Sequence, residues 1–180
     1  QTVGMSAGQL PEVVSPARVF PLPAKSAALL GLPAGLPVIP GASDGALANL
    51  GSGATGSDTL AITIGTSAAL RLTLEQPVHD PAMRTFCYRL DDRRFIAGGA
   101  SNNGSNTVDW LRKQVFQTPV SAAKLLEQAA LVAPGCDGLL FVPYLHGERA
   151  PVWDARATGM YQGLKAEHGK RHFVRAAVEG

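Results

Sequence analysis

Three glycine-bearing segments carry the residues whose types and spacing could do chemistry. Gly41-Ala42-Ser43-Asp44-Gly45 sets a hydroxyl and a carboxylate on one tight corner. A carboxylate there can take a proton from a substrate hydroxyl, while the Gly-x-Ser-x-Gly spacing also fits a nucleophile elbow with Ser43 as the attacking group. Gly65-Thr66-Ser67 lies between two apolar runs. A glycine turn exposes backbone N–H groups, and the Thr and Ser add hydroxyl donors, so the tripeptide can hold phosphate oxygens without a lysine. Gly51-x-Gly53-x-x-Gly56 matches the dinucleotide-binding spacing. That fingerprint must follow a strand and open a helix; here the helix comes first, so the stretch reads as a linker. Each segment also has a bland reading: Asp44 as a helix cap worth about 1 kcal/mol, and residues 65–67 as an ordinary tight turn.

The elements that must position these residues can be read from periodicity. Residues 24–30 form a short helix that Gly31 stops in the left-handed conformation. A short strand at 37–40 leads through the Ser43-Asp44 corner into an Ala/Leu-rich helix at about 46–50, so the corner stands at the end of a strand and the start of a helix. Residues 59–64 and 68–74 alternate apolar with polar or small side chains around Gly65-Thr66-Ser67 and form a hairpin. A second pair, 84–90 and 93–97 around Asp91-Asp92, extends it to an antiparallel meander. After Gly98-Gly99 the pattern becomes helical, with Ser105 or Asn106 as N-cap and Val108, Leu111 and Val115 on one face. Another helix is expected from Thr118-Pro119 to about residue 131, a buried strand at 138–143, a polar aromatic loop at 144–158, and a helix at 172–179. A hydrolase elbow follows several strands of a parallel sheet, and residues 1–36 supply none, which weighs against Ser43 as nucleophile.

The chain has 180 residues, with 16 Lys plus Arg against 14 Asp plus Glu and 46% hydrophobic residues. That balance supports a packed core and excludes a nucleic-acid clamp, a polybasic membrane anchor and a disordered tail. No apolar run approaches the ~18 residues of a membrane helix, and the opening residues lack the regions of a signal peptide. Cys87 and Cys136 show no Cys-x-x-Cys spacing and no histidine at metal distance, so no metal site is expected. Reduced, buried thiols in a cytoplasmic protein are expected. The chain opens without Met and stops at Gly180 in mid-pattern, so it reads as the middle of a longer protein.

Five stretches together resemble the FGGY carbohydrate kinases, and the gluconokinase branch most closely. They are residues 41–51, Ile62-Thr63-Ile64-Gly65-Thr66-Ser67, Arg84-Thr85-Phe86-Cys87-Tyr88, residues 98–104, and Gly159-x-Tyr161-x-Gly163-Leu164 followed after seven residues by His172-Phe173-x-x-Ala176-Ala177-Val178-Glu179. The resemblance implies an α/β chain of the actin-like, ribonuclease H-like ATPase fold. Residues 1–57 would close the N-terminal sugar-binding domain, and 58–180 would open the C-terminal ATP-binding domain.

By the same resemblance Asp44 is the catalytic base, with Gly45 beside it at the substrate. Gly65 and Thr66 form the second phosphate loop, and Ser105 and Asp109 contact the nucleotide. The implied reaction is phosphorylation of a sugar or sugar acid by ATP and Mg²⁺, with gluconate favoured over xylulose or another ketose or polyol. The isolated chain is expected to be silent. Its expected partners are the sugar, ATP and a second copy in a homodimer, without nucleic acid or membrane. An α/β-hydrolase using Ser43 and a non-catalytic structural fragment are the competing readings.

Overall fold

The computed structural model describes residues 4–180; residues 1–3, the start of the expected first-domain segment, lie outside the described residues. The proline-rich opening forms a two-stranded ribbon, β1 (Phe20–Pro21) with β2 (Pro37–Val38), around α1 (Ala24–Leu30). Gly31 ends α1 at φ 65°, the left-handed stop that its sequence position predicted. Next comes α2 (Asp44–Gly51), longer by two residues at its start than the helix read from the sequence. The two extra residues are helical because Ser43, in extended conformation, accepts a hydrogen bond from the Ala46 N–H and caps the helix.

Alternation sets the central layer. β3 (Leu60–Ile64), β4 (Ala68–Leu74), β5 (Phe86–Arg89) and β6 (Phe95–Ser101) make one antiparallel sheet in the order β3-β4-β6-β5. The expected meander is corrected here, since β6 rather than β5 pairs with β4. The reason lies in Gly98, which was read as the end of the strand. A Cβ there would collide with the Leu70 carbonyl, so glycine lets β6 run on to Ser101 in full register with β4.

Strand alternation gives the sheet two unlike faces. Arg71, Thr73, Ile96, Phe86 and Tyr88 share the face that carries α2. Ala46 is fully buried there against Leu90 and Ile96. Asn49, also fully buried, donates through Nδ2 to the Arg71 carbonyl and to Thr73 Oγ1, both at 3.3 Å, and Thr73 donates to the Ala54 carbonyl at 2.6 Å. These bonds tie α2 to β4. On the opposite face Leu60, Ile62, Ile64 and Leu70 are exposed.

Beyond the sheet, α3 (Asn106–Trp110), α4 (Ala122–Ala129), β7 (Leu140–Val142), β8 (Met160–Gln162) and α5 (Lys170–Glu179) enclose a second core of Leu111, Leu125, Leu139, Phe141 and Val174. α4 begins later than Pro119 because Gln117 takes a positive φ of 45° and Ser121 then caps Lys124. α3 opens into one wide turn, Leu111–Val115, which leaves Val115 exposed. α5 begins two residues early, since the Gly169 N–H donates to Nδ1 of His172 at 3.0 Å. Both thiols are free; Cys136 is buried and Cys87 is only half-buried, which corrects the expectation of two buried thiols.

Candidate functional site

Ser105 is where the hairpin tip and the helix after β6 meet. Its backbone N–H and its hydroxyl both donate to the Gly65 carbonyl, at 2.9 and 2.8 Å. Its hydroxyl therefore does not cap α3, although Ser105 stands at the N-cap position. The tip is closed from within by the Gly65 N–H donating to the Ser67 carbonyl at 2.8 Å. Gly104 makes this approach possible: a Cβ there would stand 2.7 Å from the Gly65 oxygen and 2.8 Å from the Ser67 carbonyl carbon. Gly65, Thr66 and Ser105 are thus brought together, and Asp109 follows one helical turn on, its N–H on the Ser105 carbonyl.

A cleft of about 720 Å³ opens beside Ser105, walled by Asp109, Leu126, Tyr144, Ala177 and Val178. The Asp109 carboxylate stands at its wall already engaged, 3.1 Å from Lys113 and 3.2 Å from Arg112. Those two cations, Lys113 foremost, hold its carboxyl below the usual carboxylate range. The cleft includes Ile64, Ala68 and Ser101 and so lies on the sheet face opposite α2. Asp44 and Gly45 lie on the α2 face. The structure does not gather all the expected site residues into one pocket; it sets two groups on opposite faces of one sheet, with the Gly65-Thr66-Ser67 tip at the sheet's end.

At the α2 face, Asp44 Oδ1 accepts the Gly45 N–H at 2.6 Å. Gly45 is buried, and a Cβ there would stand 2.8 Å from Nε of Arg71 and 2.9 Å from the Tyr88 hydroxyl. A Cβ here would push those two side-chain ends aside, so glycine lets the first turn of α2 rest against them where they stand.

Two charged residues that the sequence reading passed over shape the site. Glu148, 4% exposed, accepts from Ser101 Oγ at 2.7 Å, the Arg149 N–H at 2.7 Å, and the Asn102 N–H and Asn103 Nδ2 at 3.1 Å each. Burial alone would push its carboxyl up, but these four hydrogen bonds together outweigh burial and hold it below the usual carboxylate range. Glu148 thereby clamps the loop after β7 to the Ser101–Asn103 turn that delivers Gly104. The clue in the sequence was a Glu-Arg pair inside an otherwise aromatic, proline-containing loop. Arg71 was legible only as the polar member of an alternating strand.

The competing motifs dissolve in the same geometry. Ser43 has ordinary extended backbone, φ −62° and ψ 150°, and its hydroxyl serves the helix cap. Among the described residues neither histidine side chain nor any carboxylate is hydrogen-bonded to the Ser43 hydroxyl; His168 Nδ1 accepts from the Lys165 N–H instead. Gly53, at φ 79°, turns the chain after α2, so this glycine segment follows a helix and precedes β3, the reverse of the dinucleotide-binding order. Among the described residues no three His, Cys, Asp or Glu side chains cluster as a resident metal site, and no helix is long and apolar enough to cross a membrane.

Residues 60–180 match the model of the FGGY family of carbohydrate kinases, C-terminal domain. The chain is 42% identical over 163 residues to a gluconokinase of Bacillus licheniformis, a match covering 86% of this chain and 32% of that protein. It is 32% identical over 149 residues to a xylulose kinase of Lactococcus lactis subsp. lactis, covering 79% of this chain and 28% of the relative. The crystal structure of gluconate kinase from Lactobacillus acidophilus superposes with a TM-score of 0.92 at 38% identity, over 99% of this chain and 37% of the other. The chain spans about a third of the length of the relatives it matches.

Proposed function

Since this chain belongs to the FGGY family of carbohydrate kinases, we propose that the full-length protein transfers the terminal phosphoryl group of ATP to a hydroxyl of a sugar or sugar acid, with gluconate the favoured acceptor. Gluconate is favoured over xylulose because the gluconokinase relative is more similar than the xylulose kinase, 42% against 32% identical. The observation that carries the reading is the double hydrogen bond from Ser105 to Gly65, which fixes the hairpin tip against the head of a helix.

In this reading the cleft beside Ser105 takes the nucleotide, and the tip at Gly65-Thr66 turns its phosphates over the end of the sheet towards Asp44. Backbone N–H groups and hydroxyls there offer donors to phosphate oxygens. Asp44 orients the acceptor hydroxyl and receives its proton as the oxygen bonds to the terminal phosphorus. The bond from that phosphorus to the bridging oxygen breaks, and ADP leaves with the electron pair. A loose transition state asks for orientation and charge neutralisation more than for a strong base, so a carboxylate at a helix start suffices.

Mg²⁺ belongs with the nucleotide in this scheme. It retains several waters and takes one or two carboxylates in addition to substrate phosphates, and the donors on hand, the Asp44 carboxylate and the Thr66 hydroxyl, fit an ion carried by the nucleotide better than a resident one. The remaining parts of the proposal are residues 1–57 as the end of a sugar-binding domain, residues 58–180 as the start of an ATP-binding domain, a cytoplasmic location, and a homodimer favoured by the exposed Leu60 and Ile62.

Incubating the full-length protein with MgATP and a panel of sugar acids, ketoses and polyols, while following ADP release, tests the reading. Gluconate-dependent ADP release is expected. No turnover with any acceptor, together with labelling of Ser43 by a fluorophosphonate, would replace the kinase with a hydrolase.

A further inference from the structure

Arg71 stands on the α2 face of β4, against both Thr63, on the strand leading to the tip, and Gly45, beside Asp44. Its Nη1 donates to Thr63 Oγ1 at 3.3 Å. Its Nε and Nη2 lie 2.8 and 3.0 Å from the point where a Cβ on Gly45 would be. The guanidinium therefore reaches from the strand that runs into Gly65-Thr66-Ser67 across to the corner that bears Asp44.

Its partners do not satisfy it. Nε is shut off from water, and no described residue accepts from it. Among the described residues no carboxylate lies within the 4.0 Å that defines an ion pair with Arg71, whereas Arg84, Arg94, Arg112 and Arg175 each have one. A half-buried cation without a counter-charge is costly, and it sits beside the start of α2, where the helix dipole also favours a negative charge. The planar guanidinium, with its fork of donors, suits paired oxygens of a phosphoryl or carboxylate group better than any other side chain.

We propose that Arg71 binds an oxyanion held between the Asp44 corner and the Gly65-Thr66-Ser67 tip. The inference rests on the kinase reading, which supplies two sources of such oxygens: the phosphoryl group in transfer and the carboxylate of a sugar acid. Both need a positive, forked donor on the α2 face, and no residue assigned so far provides one. A phosphoryl group there would have its developing charge neutralised during transfer. A carboxylate there would fix which end of the sugar acid faces Asp44.

The test uses the full-length protein as wild type, Arg71→Met and Arg71→Lys. Two quantities are read: kcat with MgATP at saturating acceptor, and Kd for gluconate by calorimetry without nucleotide. Thermal melting reports the folded fraction of each variant. If the phosphoryl group is the anion, Arg71→Met lowers kcat about 100-fold or more with gluconate affinity unchanged, and Arg71→Lys recovers part of the rate. If the carboxylate is the anion, Arg71→Met weakens gluconate binding about tenfold or more while kcat at saturation stays within a few-fold. The proposal is overturned if folded Arg71→Met keeps both quantities within a factor of two, or if its losses only follow its loss of folded protein. A wild-type protein that turns over no acceptor overturns the kinase reading itself and takes this inference with it.

Discussion

The Ser105 hydroxyl and backbone N–H converge on one oxygen, the Gly65 carbonyl, at 2.8 and 2.9 Å. A residue expected to cap a helix and touch a nucleotide spends its side chain on holding the phosphate-loop candidate instead. The nucleotide would then meet the backbone of this corner and its exposed edge, with Ser105 acting through the tip.

Gly104→Ala should pry that joint open. The added Cβ meets backbone atoms at 2.7 and 2.8 Å, which cannot rotate away as a side-chain end could. The expected cost is about 1–3 kcal/mol of stability, typical of overpacking, with KM for ATP raised more than KM for the acceptor. Denaturant unfolding and steady-state kinetics of the full-length variant measure both.

Asn49→Ala should loosen α2 on the sheet. The substitution removes the two donations to the Arg71 carbonyl and Thr73 Oγ1 from a fully buried site. A loss of about 1–3 kcal/mol is expected from the unpaired groups and the vacated volume. Because Asp44 rides on the same helix, kcat should fall while ATP affinity holds. Equilibrium unfolding combined with nucleotide titration checks the pair of effects.

Glu148→Gln should cost about 1.5–3 kcal/mol at neutral pH, since it replaces a carboxylate held by charge-assisted bonds with an amide whose N–H₂ faces donors. The sign of the pH dependence follows from the lowered carboxyl in the folded protein. Its stabilisation is complete above the ordinary value of 4.5 and is lost as pH falls through the depressed folded value. The stability gap between wild type and variant should therefore be constant from pH 7 to about 5 and shrink in more acidic solution. Unfolding curves across that range give the gap directly.

Much of this arrangement was legible in the residues. The α1 stop at Gly31 and the β3–β4 hairpin follow from local rules, namely a left-handed glycine and two-residue alternation; a helix after the corner was legible too, but its start at Asp44 and its cap at Ser43 were not. Strand order was not legible, because the pairing of β6 with β4 depends on a backbone approach at Gly98 that no local pattern encodes. Glu148 was not legible as a site residue for a related reason: its four donors come from residues 101–103 and 149, and only the folded chain shows that 101 and 148 are neighbours. Arg71 resembled any solvent-facing residue of an alternating strand until α2 was found lying over that face.

The central claim is that Asp44 acts on the acceptor in phosphoryl transfer, and the most direct measurement is kcat of full-length wild type and Asp44→Asn with MgATP and gluconate. Asn keeps the side-chain oxygen that accepts from the Gly45 N–H, so α2 should start as before. The account predicts wild-type turnover of about 1 s⁻¹ or more, a fall of about 10²- to 10⁴-fold in the variant, and ATP binding close to that of wild type. A variant that kept more than half of the wild-type kcat would reduce Asp44 to the first residue of a helix and contradict the account.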